Sequence, residues 1–269
     1  MTIHPTAIVD RRAAIDPSAD IGPYVVIDGP VQIGPRTRVL AQVTLTGDTV
    51  LGADNVLYPS VHVGHEPQDL GYRGAPTGVR VGDRNVLREG TVVHRGTQPG
   101  TCTEIGSDVF LMSNAHVAHN CRVGDGAILA TGALLGGHVQ VGERAFISGN
   151  CVVHQFVRVG RLAIMRGLSR TSRDVPPFAL MDGTHEVRGI NRVGLRRAGF
   201  EAARIRAVAR AFRLLFGTRV NLREAAQRVE DELGDVPEVA EVLAFIRASK
   251  RGVAMGPRAR ASSDDSSDD

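Results

Sequence analysis

Histidine is the residue type whose number and spacing in this chain suit chemistry. There are nine; His119, His138 and His154 recur at intervals close to eighteen residues, and His116 lies half a hexapeptide from His119. An imidazole titrates near neutrality, so one can serve as general base to a hydroxyl or an amine. Several together can hold zinc. The three cysteines, Cys102, Cys121 and Cys151, form no close pair, so neither a disulfide framework nor a zinc ribbon is indicated.

Such histidines work together only if the fold stacks them, and the aliphatic pattern supplies the stack. Stepping by six from Ile3 to Met165, 25 of 28 positions are Ile, Leu, Val or Met, and the exceptions are Asp69, Ala75 and Pro99. A six-residue period is neither helical nor a simple strand alternation; it marks a hexapeptide β-helix. One aliphatic side chain per hexapeptide points inward and stacks on its copies in neighbouring turns. The next residue is often glycine, as at Gly34, Gly52, Gly124, Gly142 and Gly160, where a corner leaves no room for a Cβ. With eighteen residues per turn, position 119 lies beneath 137 and then 155. His119, His138 and the pair His154-Gln155 therefore fall on nearly one edge. Two interruptions of the repeat, 64–80 and 94–104, read as projecting loops, where function concentrates.

The repeat stops near Ser169, and Val175-Pro176-Pro177 marks a break, since paired prolines cannot continue a ladder. From about residue 191 the period is helical. One helical stretch ends at Gly217, a second starts after Asn221 and stops before Gly234, and a third runs from Pro237 or Glu238 to about Lys250. The organisation is a coil over 1–186, a helical domain over 187–252 and a disordered acidic tail over 253–269. Arg196, Arg197, Arg204, Arg206, Arg210 and Arg213 crowd the first helical stretch, either as a solvated face or as a docking surface for an acidic partner or a phosphate. Little aromatic interleaving argues against nucleic acid. Asp10, Arg11 and Arg12 interrupt any signal peptide. No apolar run is long enough to span a membrane, so the expectation is a cytoplasmic protein.

Several stretches resemble the UDP-N-acetylglucosamine O-acyltransferase family of hexapeptide-repeat acyltransferases. They are Ser113 to Cys121, His94-Arg95-Gly96, Gly137-His138, Val153-His154-Gln155-Phe156, Asp174-Val175-Pro176-Pro177 and Gly194 to Phe200. The resemblance runs from the N-terminus to about residue 250. It implies an all-β, left-handed parallel β-helix with a smaller α-helical C-terminal domain, assembled as a homotrimer with each active site between two coils. It implies transfer of an (R)-3-hydroxyacyl chain from acyl carrier protein to the 3-hydroxyl of UDP-N-acetylglucosamine, the first step of lipid A biosynthesis. No cofactor is implied beyond the phosphopantetheine that carries the acyl chain. On the matching positions, His119 is the general base and the Gly137 N–H stabilises the oxyanion. His116 and His138 position acceptor and donor. His154, Gln155, Asn191 and Arg197 hold the nucleotide-sugar, and Gln68 and Asp69 meet the hydroxyacyl group. Gly167 lies where the family sets the depth of the acyl groove; the plainer reading is a corner glycine.

Two positions depart from the family pattern. A lysine usual near the sugar phosphates is Gly71 here, with Arg73 as the available substitute. The residue after the base, often aspartate, is Asn120, whose amide oxygen still accepts from a ring N–H but supplies no charge. Three alternatives stay open: the same transfer to a 3-amino sugar nucleotide, a scaffold whose activity has decayed through Gly71 and Asn120, and a β-helix zinc carbonic anhydrase. For the last, the metal pattern has ligands five apart and a third two turns earlier. Here His116 and His119 are three apart, and position 83 is Asp.

Overall fold

A computed structural model describes residues 2–217 and 221–256. Short strands, mostly two residues long, stack into three parallel sheets of eleven, nine and eight strands. Away from the loops, strands pair with the strand one turn away, eighteen residues on, as in Thr2↔Asp20, Ile8↔Val26 and Ala14↔Gln32. The inward residues are the period-six aliphatics. Leu45, Leu57, Leu87, Leu111, Leu129 and Ile147 are fully buried, each resting on its copies above and below. Ile3, in the first described turn, is 37% exposed, with no further turn above it among the described residues.

The two loops explain why the phase survives its interruptions. Across the first, partners stand thirty residues apart, as in Asp48↔Gly78 and Val56↔Val86. Across the second they stand twenty-four apart, as in Gly78↔Cys102 and Val92↔His116. The insertions are therefore twelve and six residues, two hexapeptides and one. They contain the three exceptions to the period: Asp69 and Ala75 in the first, Pro99 in the second. The projecting segments are residues 66–77 and 95–101, narrower than the ranges read from sequence.

Most corners hold a residue in the left-handed region, and it is seldom glycine. Tyr24, Arg36, Gln42, Asp54, Asn114, Asn120, His138, Asn150, Phe156 and Leu168 all have φ between 53 and 64°. The corner glycines serve another purpose. A Cβ on Gly142 would lie 2.4 Å from Arg161 N, and one on Gly34 would lie 2.6 Å from Gly52 C. These glycines let successive corners stack in contact.

The coil closes with an antiparallel hairpin, Ala179–Asp182 against Glu186–Ile190, so strand structure continues past the boundary expected at 186. Helices α1 (Arg192–Arg197), α2 (Ala202–Leu215), α3 (Leu222–Leu233) and α4 (Pro237–Arg247) follow. Gly199 at φ 83° splits the first helical stretch in two. Of the tail expected from 253, residues 257–269 lie outside the described residues. Val253 and Ala254 instead pack back on the coil, 3% and 0% exposed, beside the buried Asp174. The Asp174 carboxylate accepts from Arg158 N–H (2.8 Å), Arg158 Nε (3.0 Å) and Ser249 Oγ (2.9 Å), and its main chain brackets Gly252 and Ala254. No described helix is long and apolar enough to cross a membrane.

Candidate active site

His119 sits at a corner of the coil, and the register of the stack surrounds it. The residue after it, Asn120, forms one column with His138 and Phe156, eighteen residues apart. His119 itself forms the adjacent column with Gly137 and Gln155. The corner ladder locks the columns together: His138 N–H donates to His119 O (2.9 Å) and Phe156 N–H to Gly137 O (2.9 Å).

Asn120 fixes the tautomer of His119. Its Oδ1 accepts from the Thr97 N–H (3.1 Å) and the Thr97 hydroxyl (2.9 Å). A backbone N–H can only donate, so the atom facing it is the amide oxygen. His119 Nδ1, 3.0 Å from that same oxygen, must then carry the proton. Nε2 is left bare in the neutral ring and makes no hydrogen bond among the described residues, as a general base requires. Three donors converge on one oxygen, a setting that suits a carboxylate as well as an amide. The departure from aspartate at 120 thus keeps the geometry and removes only the charge.

Gly137 lies directly beneath that imidazole. A Cβ there would be 2.4 Å from Cε1 and 2.5 Å from Nε2 of His119, so only glycine admits the ring. The coil has no use for the N–H at this corner phase, since Pro5, Pro17, Pro23, Pro35 and Pro59 occupy it in earlier turns. Among the described residues the Gly137 N–H has no acceptor. The bare ring nitrogen is therefore packed against a glycine whose own N–H is free.

The other imidazoles are arranged differently from the single edge of three read from the sequence. His138 meets His119 edge-on at 5.2 Å, and its opposite partner is Phe156, stacked at 4.5 Å and 11°. His154 is exposed and lies on the following turn, its ring 3.4 Å from Arg251 Nη2. His116 pairs with His94 at 5.3 Å, and His62 faces His65 at 6.0 Å. Burial holds the pKa of His116, His94 and His138 below the ordinary range; neighbouring imidazoles add to it for all three, and Asp69 opposes it at His138. His94 is 6% exposed, donates Nδ1–H to Glu66 O (2.7 Å), and leaves its buried Nε2 without a partner. Burial pushes the Cys121 thiol up to about 12, so it is no thiolate nucleophile. Among the described residues no group of three His, Cys, Asp or Glu could hold a metal ion.

The remaining expected residues are dispersed over one chain. Gln68 and Asp69 are exposed in the first loop, where Asp69 Oδ1 accepts the Gly71 N–H (2.8 Å). Arg73 turns back on its own loop, donating to Leu70 O (2.6 Å) and Tyr72 O (2.9 Å). Asn191 caps α1 through Gly194 N–H and donates to Leu162 O, both at 2.9 Å, so both its polar atoms hold α1 to the coil. Arg197 is exposed on the last turn of α1, and Gln155 is exposed beside His154. Gly167 is not required by the coil: it has no left-handed φ, and the nearest atom to an added Cβ is Gly149 O at 3.6 Å. That weakens its reading as a plain corner glycine. Sequence reasoning missed Thr97 and the stacking role of Phe156; loop lengths in whole hexapeptides and the eighteen-residue register were the available signals.

A family model described as UDP N-acetylglucosamine O-acyltransferase, domain 2, matches residues 174–254, and one described as bacterial transferase hexapeptide matches residues 102–137. An acyl-[acyl-carrier-protein]–UDP-N-acetylglucosamine O-acyltransferase from Anaeromyxobacter is 45% identical over 255 residues, covering 94% of this chain and 99% of the relative. The chain belongs to the UDP-N-acetylglucosamine O-acyltransferase family. A member from Thermodesulfovibrio yellowstonii is 41% identical, covering 93% of this chain and 98% of its own. The crystal structure of the Francisella novicida UDP-N-acetylglucosamine acyltransferase superposes with a TM-score of 0.91 at 31% identity, covering 95% of each chain. The coil accordingly has the family's left hand, against the usual right-handed crossover.

Proposed function

We infer that the chain moves an (R)-3-hydroxyacyl group from acyl carrier protein to the 3-hydroxyl of UDP-N-acetylglucosamine, the first step of lipid A biosynthesis. The observation that carries the mechanism is the bare His119 Nε2 packed against Gly137, whose N–H is unused among the described residues. Nε2 takes the proton of the sugar hydroxyl as its oxygen attacks the thioester carbonyl. The Gly137 N–H donates to the oxygen as it becomes an anion. Collapse breaks the carbon–sulfur bond, and the leaving pantetheine thiolate takes the proton back from His119. Asn120 holds the ring throughout. The neutral His116 and His138 suit positioning, and Phe156 backs His138. Gln68 and Asp69 meet the donor's hydroxyl. Arg73 faces the sugar phosphates only by leaving the loop carbonyls it now caps. His154, Gln155 and Arg197 take the nucleotide, with Asn191 holding the helix that bears Arg197. Gly167 leaves the acyl groove open. No cofactor is needed beyond the carrier's phosphopantetheine, and these soluble substrates fit a cytoplasmic location.

A homotrimer supplies the rest of the pocket, because one coil brings only part of this set together. The outer row Phe110, Ile128, Phe146, Ile164 and Leu180 on the eleven-strand sheet is a continuous apolar stripe, which suits burial against a second copy. Acyl carrier protein, as an acidic partner, fits the arginines of α1 and α2. Arg204 and Arg210 are paired with Glu238 and Glu232, whereas Arg196, Arg197, Arg206 and Arg213 have no carboxylate partner among the described residues.

Purified protein given 3-hydroxyacyl carrier protein and UDP-N-acetylglucosamine is expected to yield the acylated sugar nucleotide. No product at any chain length would overturn the reading, and an amide formed only with a 3-amino acceptor would redirect it. His119→Ala is expected to lower kcat by ~10²–10⁴-fold without a proportional rise in KM. Retention of more than about a tenth of kcat would move the base elsewhere. Stoichiometric zinc in active protein would revive the metal alternative.

A further inference from the structure

The first loop, residues 66–77, is tied to the coil at both its root and its middle. At the root, His94 donates to Glu66 O (2.7 Å), and Arg95 Nη2 contacts Glu66 Oε1 at 3.1 Å. Arg95 Nη1 also donates to Gly64 O (3.1 Å). In the middle, Arg95 Nε and Nη2 both donate to the Tyr72 hydroxyl, at 3.3 and 3.2 Å. That hydroxyl in turn donates to Ala75 O (2.8 Å), and the Tyr72 N–H donates to Asp69 O (3.0 Å). The Arg95 side chain is only 17% exposed. A planar fork with donors in fixed directions suits holding three points of one loop at once. Between the two ties lie Gln68 and Asp69, both exposed and anchored by nothing stronger than the turn they belong to.

We propose that Arg95 and Tyr72 are positioning residues for donor selection: they hold Gln68 and Asp69 where the 3-hydroxyl of the acyl chain is recognised. This rests on the assignment of Gln68 and Asp69 to the hydroxyacyl group. His94 and Arg95 are neighbours on one strand end, so the loop position is set by the coil itself. Selection between a 3-hydroxyacyl donor and the unsubstituted donor of equal length then depends on residues that touch neither substrate. A polar recognition point loses discrimination when its geometry loosens, because a hydroxyl bonded at the wrong distance is worth little.

The test measures kcat/KM for both donors, each on acyl carrier protein, with saturating UDP-N-acetylglucosamine. Tyr72→Phe keeps the ring and removes the hydroxyl; Arg95→Lys keeps the charge and removes the fork. Each is expected to lower the preference for the 3-hydroxyacyl donor about five- to tenfold, the worth of one or two hydrogen bonds. The rate with the unsubstituted donor moves by less than about twofold, because the base and oxyanion site are untouched. Glu66→Gln retains an acceptor for Arg95 and is expected to keep most of the preference, and a loss as large as that of Arg95→Lys would show that charge at the root, not the fork, sets it. Equal losses with both donors would assign the pair a purely structural role and overturn the proposal. A Gln68→Ala, Asp69→Ala double variant separates the two levels. If it abolishes the preference while Tyr72→Phe and Arg95→Lys keep it, the clamp is wrong and the recognition residues stand. If it leaves the preference intact, both fail.

Discussion

At the scale of single residues, four imidazoles around the coil are pushed toward the neutral form. His65, His94, His116 and His138 all have their pKa lowered, with burial the largest cause in each. An unfolded histidine titrates near ~6.5. The folded chain therefore binds fewer protons than the unfolded chain as pH falls through that value. Their contribution to stability is complete above the unfolded pKa and is lost as pH drops toward the folded values. The thermal unfolding midpoint is expected to fall between about pH 7.5 and about pH 5.5. His94→Asn places an amide where Nδ1–H now bonds Glu66 O and cannot titrate, so the fall becomes shallower. An unchanged slope in that variant would show that His94 is not one of the groups responsible.

At the scale of the repeating element, glycines of similar appearance do different work. Gly142 is demanded by its neighbours, since its added Cβ would lie 2.4 Å from Arg161 N and 2.8 Å from Gly160 C. Gly142→Ala must spread two backbone corners and is expected to cost about 1–3 kcal/mol. Gly167→Ala meets nothing closer than 3.6 Å and is expected to stay within about 0.5 kcal/mol of the parent. Denaturant titration of the pair decides whether the coil or a ligand needs each glycine. A larger side chain at 167 is then expected to leave stability unchanged and shorten the accepted acyl chain, read from a donor length series.

At the scale of the whole molecule, the coil presents an apolar row along one face. Phe146 is central in the row from Phe110 to Leu180 and is flanked through the ladder by Ile128 and Ile164. Phe146→Glu points a charge out of that face, where the monomer tolerates it and a packed interface does not. Sedimentation is expected to show the parent as a trimer and the variant as a monomer without activity. A variant that is monomeric and fully active would show that one coil completes the site alone.

Much of this architecture was legible in the amino-acid order. The period of six is set by one buried aliphatic per strand, a local requirement repeated in every turn, so the coil and the inward column could be read directly. His119 and its corner were legible for the same reason, because a fixed repeat turns sequence separation into position. Tertiary structure decided what depends on register and on side-chain direction. His154 is nearly in phase with His119, yet adjacent residues at a corner point along different columns, and Phe156 stacks on His138 instead. The tautomer of His119 rests on Thr97, which only the six-residue insertion at the second loop brings back over Asn120. Residues 253–256 carry no repeat, and their place on the coil follows from a buried Asp174 that binds Arg158 and Ser249 at long range. Such contacts depend on where the chain returns in space, and no local pattern encodes that.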